Sequence, residues 1–341
     1  MNFAADSSYS RLKAGVARSH KPQPKPTRGQ KALELTLFAV FGATLALAGV
    51  ALYATNRPEH RMVPNRFHAG VAADRVNILL IGSSLRTRTG GDPQIRVESL
   101  MLLSLQPSTG RAALMSLPLD LWVKVGRYGD RPLRAAHTIG DDGGYPGAGA
   151  GLTVDTVRDI IDEPVHAYVR YSIGDIQRLV DALGGVDVEV RQGVFEYRSK
   201  SRFRPGPRHL NGTEAARYAY SGSIAGRTAA NRFACERRQQ DVLLAVLAKA
   251  METRRDVDSL EPVLGSLTAT NLRREDTGLI VTALRRGGDV RRISFADCLD
   301  AFDMSSVTYR GEVVRPRTGT DFTTLQKIAD AALDSGVARV H

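Results

Sequence analysis

The sequence predicts an α/β fold: a mixed central β-sheet flanked by helices, preceded by a single N-terminal transmembrane helix. Three observations predict it. The apolar runs Asn77-Ile-Leu-Leu-Ile-Gly82, Leu100-Met-Leu-Leu-Ser-Leu105 and Arg111-Ala-Ala-Leu-Met-Ser-Leu117 are punctuated by Gly and Pro, and read as neighbouring buried strands. Val165 to Val190 reads as strand, helix and strand with short joints, the pattern of a sheet with crossover helices. Leu35 to Asn56 carries no charged residue and is mostly apolar.

In chain order, residues 1–31 include Lys21-Pro-Gln-Pro-Lys-Pro26 and little apolar content, as expected of a disordered basic tail. Residues 32–56 follow as the anchor. At ~1.5 Å per residue its uncharged run reaches ~30 Å, the thickness of a bilayer's hydrocarbon core. It is longer than a signal-peptide core, and no small-residue cleavage site precedes Arg57-Pro-Glu-His-Arg61. Basic residues flank both ends, but the seven Lys/Arg of the tail put the N-terminus in the cytoplasm. Residues 57–74 read as a tether and residues 75–341 as one extracytoplasmic domain.

The formal charge is +11, of which the first 55 residues hold +5, seven Lys/Arg against Asp6 and Glu34. The remaining +6 makes the rest mildly basic, which permits anionic partners without demanding them. Cys235 and Cys298 could form a bridge or remain two thiols; the spacing leaves both open.

Within the domain, polar residues gather in Ser83 to Arg96, a loop after the first strand, where α/β sheets bind ligands. Trp122 and Val123 read as core strand. Arg127 to Gly151 reads as a connector. Its Gly-rich stretch lacks the Gly-Lys-Ser/Thr ending of a phosphate loop. Leu152 to Asp162 is helical up to Pro164. Val165 to Tyr171 is a strand, and Ile173 to Leu183 is a helix closed by Gly184-Gly185. Val186 to Val190 returns as a strand.

Arg191 to His209 is rich in arginine with one acid, Glu196. It is either a solvated loop or a landing strip for an anionic polymer or lipid headgroup. Asn211-Gly-Thr-Glu214 has the form of a capping box, and a long helix is expected from Asn231 to Arg254. Further helices are expected beyond 255, including one from Asp321 to Leu333. None of the seven histidines forms a close HxxxH or HxxH pair, so no zinc site is expected. Gly82-Ser-Ser-Leu-Arg86 is not a nucleophile elbow.

Several signatures in order resemble the LytR-CpsA-Psr family, extracytoplasmic proteins that join glycopolymers to peptidoglycan. The family reads N-I-L-L-x-G-S-D-x-R, R-S-D-S/T and S-I/L-P-R-D. This chain has Asn77 to Arg86, Arg96-Val-Glu98-Ser99 and Ser116-Leu-Pro-Leu119-Asp120. Gly184 to Val188 matches G-G-V-D-V/I, Leu210-Asn-Gly matches L-N/D-G, and Arg238-Gln239-Gln240 matches R-Q-Q. The resemblance implies an α/β/α sandwich. It also implies transfer of a glycopolymer phosphate from a polyprenyl-pyrophosphate carrier to peptidoglycan at the membrane, with no nucleic acid involved.

Carried over by position, Arg96 and Asp120 are catalytic candidates, and Arg86, Arg96, Arg232, Arg238 and Gln239 substrate-binding ones. The family's Mg²⁺ would fall to Glu98, with Ser84 where a second carboxylate is expected. Leu119, Tyr220, Gly222 and Cys235 stand where the family has arginines, and Arg232 where it has an aspartate. Hydrogen bonds to charged groups contribute ~1.5–3 kcal/mol each, so these losses together could remove ~5 kcal/mol of transition-state binding. Each ~1.4 kcal/mol is a factor of ten in rate. Either Arg88, Arg217, Arg227 or Arg232 substitutes in space, or the chain is a degenerate member that binds the lipid carrier or a sister enzyme without catalysis.

Overall fold

The computed structural model describes residues 63–87, 93–145, 147–196, 200–221, 229–252, 269–288, 290–294, 302–308 and 311–316, and Lys327. The three apolar runs become adjacent antiparallel strands: β1 (Val76–Thr87), β2 (Pro93–Leu105) and β3 (Ala112–Ser116). β6 (Ala167–Ser172) lies parallel to β1, and β12 (Val290–Ile293) parallel to β3. β11 (Ala269–Thr270) closes the far edge against β6. The order β11-β6-β1-β2-β3-β12 is therefore a mixed sheet, as expected.

Both faces of that sheet are covered, which is why β1 and β2 are nearly continuous apolar runs rather than alternating ones. Successive residues feed different cores. Leu79, Ile81, Leu100 and Leu102 face one cluster, with α2 (Ala135–Asp142) and α3 (Ala148–Ile161). Ile78, Met101, Leu103 and Leu114 face another, with α1 (Phe67–Ala72) and α7 (Arg274–Gly287). A third cluster joins Tyr171 to α4 (Ile173–Ala182), α5 (Gly212–Tyr220) and α6 (Ala229–Glu252) over the ribbon β7 (Val186–Val190) and β10 (Gly206–Leu210). Asn211 caps α5 through its side chain, with Glu214 answering in a capping box.

Four expectations change. The stretch after Gly82 is not a loop but the continued hairpin of β1 and β2, because cross-strand pairing extends to Thr87 and Pro93. Arg127 to Gly151 holds a 3₁₀ turn (Gly126–Tyr128), β5 (Asp130–Pro132) against β4 (Trp122–Lys124), all of α2 and the start of α3. A Cβ on Gly140 would lie 2.5 Å from the Ala148 carbonyl oxygen, so glycine there serves close packing of two helices, not a flexible loop. Arg191 to His209 contains β8 (Val194–Glu196), β9 (Ser201–Phe203) and β10 rather than an unstructured insertion. Beyond 255 the chain is not all helical: β11, β12, β13 (Phe302–Thr308) and β14 (Gly311–Pro316) accompany α7. Short runs such as Val290–Ile293 gain strand structure from a distant partner edge, a signal that local periodicity lacks. Cys298, the expected helix from Asp321 apart from the helical Lys327, and the candidate span Leu35 to Asn56 lie outside the described residues. Among the described residues no helix is long and apolar enough to cross a membrane.

The described part of the expected tether is packed onto the domain. Val63 and Phe67 are buried, Arg66 N–H donates to the His166 carbonyl at 2.8 Å, and Arg75 pairs with Glu163. His166 is buried, and its Nδ1 accepts from the Asn77 N–H at 3.0 Å, which requires that nitrogen to be unprotonated. Burial, then the charges of Arg66 and Arg75, hold His166 below its ordinary pKa of 6.5. Its stabilising contribution is therefore present above 6.5 and is lost as pH falls through the folded-state value. Urea unfolding at a series of pH values is expected to show natural protein losing stability on acidification below 6.5 more steeply than His166→Gln. Parallel profiles would disprove this.

Candidate functional site

The site forms where the β1–β2 hairpin runs past the end of the sheet. Pairing shifts between Gly82 and Ser83: Gly82 faces Ser99, and Ser83 faces Val97, leaving Glu98 as the extra residue of a bulge. A bulge bends its strand and re-aims side chains, and is frequent beside functional sites. Here it turns Glu98 toward its neighbours on β1. Glu98 Oε1 accepts from Ser84 Oγ at 2.7 Å, and Arg86 Nη2 and Arg96 Nε lie 3.8 and 3.6 Å from the same oxygen. The carboxylate is only 11% exposed, while the arginines are 49% and 51% exposed. One shielded anion thus positions two solvent-facing guanidiniums.

Below this fork lies a group of buried hydroxyls and a thiol. A Cβ on Gly82 would lie 2.0 Å from Ser99 Oγ and 3.1 Å from the Tyr171 ring, so glycine lets both close over β1. Ser99 Oγ and the Tyr171 hydroxyl share a hydrogen bond at 3.0 Å, and Tyr220 joins them. Burial first, then the neighbouring Tyr171, holds the Tyr220 hydroxyl well above its ordinary value. Burial also raises Tyr171, and pushes the Cys235 thiol up to about 12. Cys235 is a free, buried thiol that donates to the Ala219 carbonyl at 3.3 Å. These groups are uncharged at neutral pH.

The remaining sequence-derived candidates fall elsewhere. Asp120 is buried and ion-pairs with Arg134, whose backbone N–H donates to the Leu119 carbonyl at 2.9 Å. Leu119 packs against the core, so the guanidinium beside Asp120 comes from residue 134 rather than 119. Arg134 was missed in the sequence because it sits in the stretch read as connector. Arg238 Nε donates to the Tyr218 carbonyl at 3.0 Å and its Nη2 to that of Ser221, closing the end of α5. Gln239 Nε2 donates to the Glu98 carbonyl at 3.3 Å, so it supports the bulge from behind. Gln240 Nε2 donates to the Leu114 and Ile293 carbonyls at 3.2 and 2.7 Å, fastening α6 across β3 and β12. Arg232 lies in α6 with its side chain outside the described residues, as Arg88 and Arg227 are altogether. Arg217 reaches Ser201 Oγ at 3.5 Å.

A second polar line lies under the opposite face. Arg170, buried on β6, places Nη1 3.4 Å from His137 Nε2, and His137 Nδ1 lies 3.0 Å from Asp141 Oδ2. Burial pushes the Asp141 carboxyl up. His137, the Gly149 N–H at 2.8 Å and the charge of Arg170 outweigh that and leave it below its ordinary value.

Mg²⁺ takes oxygen ligands in an octahedron at ~2.0–2.1 Å. Around Glu98 the chain offers one carboxylate, which faces two guanidiniums and accepts a hydrogen bond from the Ser84 hydroxyl, so a Mg²⁺ held there would take its other ligands from water and substrate phosphate.

The mixed sheet and the arginine fork at its end define an α/β protein whose outer hairpin carries two exposed arginines. The chain belongs to the LytR_cpsA_psr family, whose family model matches residues 43–291. It is 33% identical over 119 residues to a polyisoprenyl-teichoic acid–peptidoglycan teichoic acid transferase, TagU, of Oceanobacillus iheyensis, covering 35% of each chain. It is 28% identical over 179 residues to the Bacillus cereus protein of that name, covering 52% of this chain and 53% of the relative. The matches thus span about a third to a half of these relatives. Among solved structures, B. subtilis TagV superposes with a TM-score of 0.58 at 21% identity, over 76% of this chain and 98% of that one. TagT with bound octaprenyl pyrophosphate lipid gives 0.53 at 21% identity, over 77% and 91%. These likenesses establish the fold.

Removing Arg134 takes the guanidinium from a buried carboxylate. Arg134→Ala is expected to lower unfolding free energy by ~3 kcal/mol, as for other broken buried pairs. Adding Asp120→Asn should recover part of the loss in a urea-denaturation cycle. A loss near zero for Arg134→Ala would show that the pair does not hold this corner.

Proposed function

We propose that this chain is a membrane-anchored, extracytoplasmic protein of cell wall biogenesis. It engages a polyprenyl-pyrophosphate-linked glycopolymer and transfers the glycopolymer phosphate to peptidoglycan. The observation that carries this reading is the pair Arg86 and Arg96, held by Glu98 and open to solvent. A pyrophosphate presents oxygens that guanidinium forks bind by charge-assisted, bidentate hydrogen bonds. As the pyrophosphate is split, charge collects on the leaving phosphate, and arginines already in place stabilise it without reorganising. Glu98 sets their spacing. Asp120 and Arg134 pin the turn after β3, and Gln239 holds the bulge from behind. Relatives named for transfer of teichoic acid to peptidoglycan, and a like fold holding a prenyl pyrophosphate, support the reading.

A second reading has its own observation. The neutral group Ser99, Tyr171, Tyr220 and Cys235 fills the space beneath the fork, where the family resemblance puts further arginines. A site reduced to two arginines would bind the carrier, alone or with a sister enzyme, and not turn it over.

A transfer assay with polyprenyl-pyrophosphate saccharide and a peptidoglycan acceptor separates the two. Transfer is expected, and Arg96→Ala should lower it by ~10-fold or more, the value of one lost charged hydrogen bond. Carrier binding without transfer, weakened in Arg86→Ala and Arg96→Ala, would establish the second reading. Absence of both would end each. For topology, a reporter at the N-terminus is expected to report cytoplasm and one at the C-terminus the outside. The reverse would overturn the envelope assignment.

A further inference from the structure

A cluster of metal-ligating side chains lies away from the fork, where the first described residues meet α7. Asn65 Nδ2 donates to the Asn271 carbonyl at 2.8 Å and to Asp276 Oδ2 at 2.7 Å, while its Oδ1 accepts the Phe67 N–H at 2.8 Å. That sets the start of α1 and brings His68 against Asp276. Asp276 is wholly buried, at 0% exposure, which is expensive for a carboxylate unless both oxygens are matched. Its Oδ2 is matched by Asn65 and by the Arg273 N–H at 2.8 Å. Its Oδ1 accepts no hydrogen bond. It faces His68 Nε2 at 3.3 Å, outside hydrogen-bonding geometry, and Glu275 Oε1 lies 3.9 Å from the same nitrogen. The three donor atoms all lie within 4.8 Å of one another.

We propose that His68, Glu275 and Asp276 bind a divalent cation of the Zn²⁺ class, which staples the start of α1 to the start of α7. Two ligands on a tetrahedral Zn²⁺ with bonds of ~2.0–2.1 Å stand ~3.3–3.4 Å apart, the separation of His68 Nε2 and Asp276 Oδ1. One imidazole and two carboxylates balance the ion's charge, and a water completes four ligands. Glu275 also lies 3.4 Å from Arg273 Nη1, but both side chains are exposed and free to rotate apart. The imidazole favours a first-row transition ion over Ca²⁺ or Mg²⁺. The site is built from residues 68, 275 and 276, a separation that motif spacing in the sequence could not reveal.

The test uses the full-length chain, stripped by chelator, dialysed against ZnCl₂ and measured by atomic emission and thermal melting. The natural chain is expected to retain one equivalent of zinc more than His68→Ala, and to melt higher when zinc is present. His68→Ala and Glu275→Gln change exposed residues and leave the Asn65–Asp276 bonds in place. Each is expected to weaken zinc binding by at least ~10-fold and to remove most of the melting shift. Asp276→Asn should do the same, and where it fails to fold, the two exposed variants decide. Equal zinc retention by the natural chain and His68→Ala, or retention by neither, would overturn the proposal.

Discussion

The antiparallel pairing of β1 with β2 is the constraint on which the rest depends. It is the longest ladder in the described structure, running from Val76 opposite Leu105 to Thr87 opposite Pro93. Its inner half is buried on both faces and supplies residues to the two cores on either side of the sheet. Its outer half leaves the sheet and is solvated. The bulge at Gly82/Ser83 marks the change between them, and the fork lies just beyond it. A ladder anchored by its apolar half holds charged side chains steady at the other end, which a free loop of the same residues would not.

Electrostatics divide along the same line. Outside the bulge are two guanidiniums and one carboxylate. Inside it are hydroxyls and a thiol kept neutral by burial. On the far side of the sheet the buried Arg170 stands in line with His137 and Asp141. Among the described residues, Arg86 and Arg96 thus stand in solvent beyond the bulge, while Arg170 is buried on the other side of the sheet.

The start of the described chain belongs to the same architecture. Val63 enters one core and Phe67 another. Asn271 Oδ1 accepts the Tyr168 N–H at 2.8 Å, so the junction with α7 also fixes the edge of the sheet. The chain from Val63 to Arg75 is thus packed onto the domain.

Much was legible in the sequence. Apolar run length gave β1, β2 and β3, because strands buried on both faces need no alternation. Helical spacing and the paired glycines gave α4 and its end, and the Asn211–Glu214 box gave the start of α5, because capping is local chemistry. Family-like spacing gave Arg86, Arg96 and Glu98, which do converge. What the sequence could not decide depends on contacts distant along the chain. Arg134 beside Asp120, β12 beside β3, and His68 beside Asp276 arise only when separate elements pack, and no local period or motif encodes them. Beyond Gly82 the polar residues carry the signature of a loop, whereas backbone pairing, indifferent to side-chain polarity, carries the strands on to Thr87 and Pro93. The sequence by itself thus determined the elements and the charges they carry. The tertiary structure decided which charges meet, because burial and long-range pairing set distances that composition leaves free.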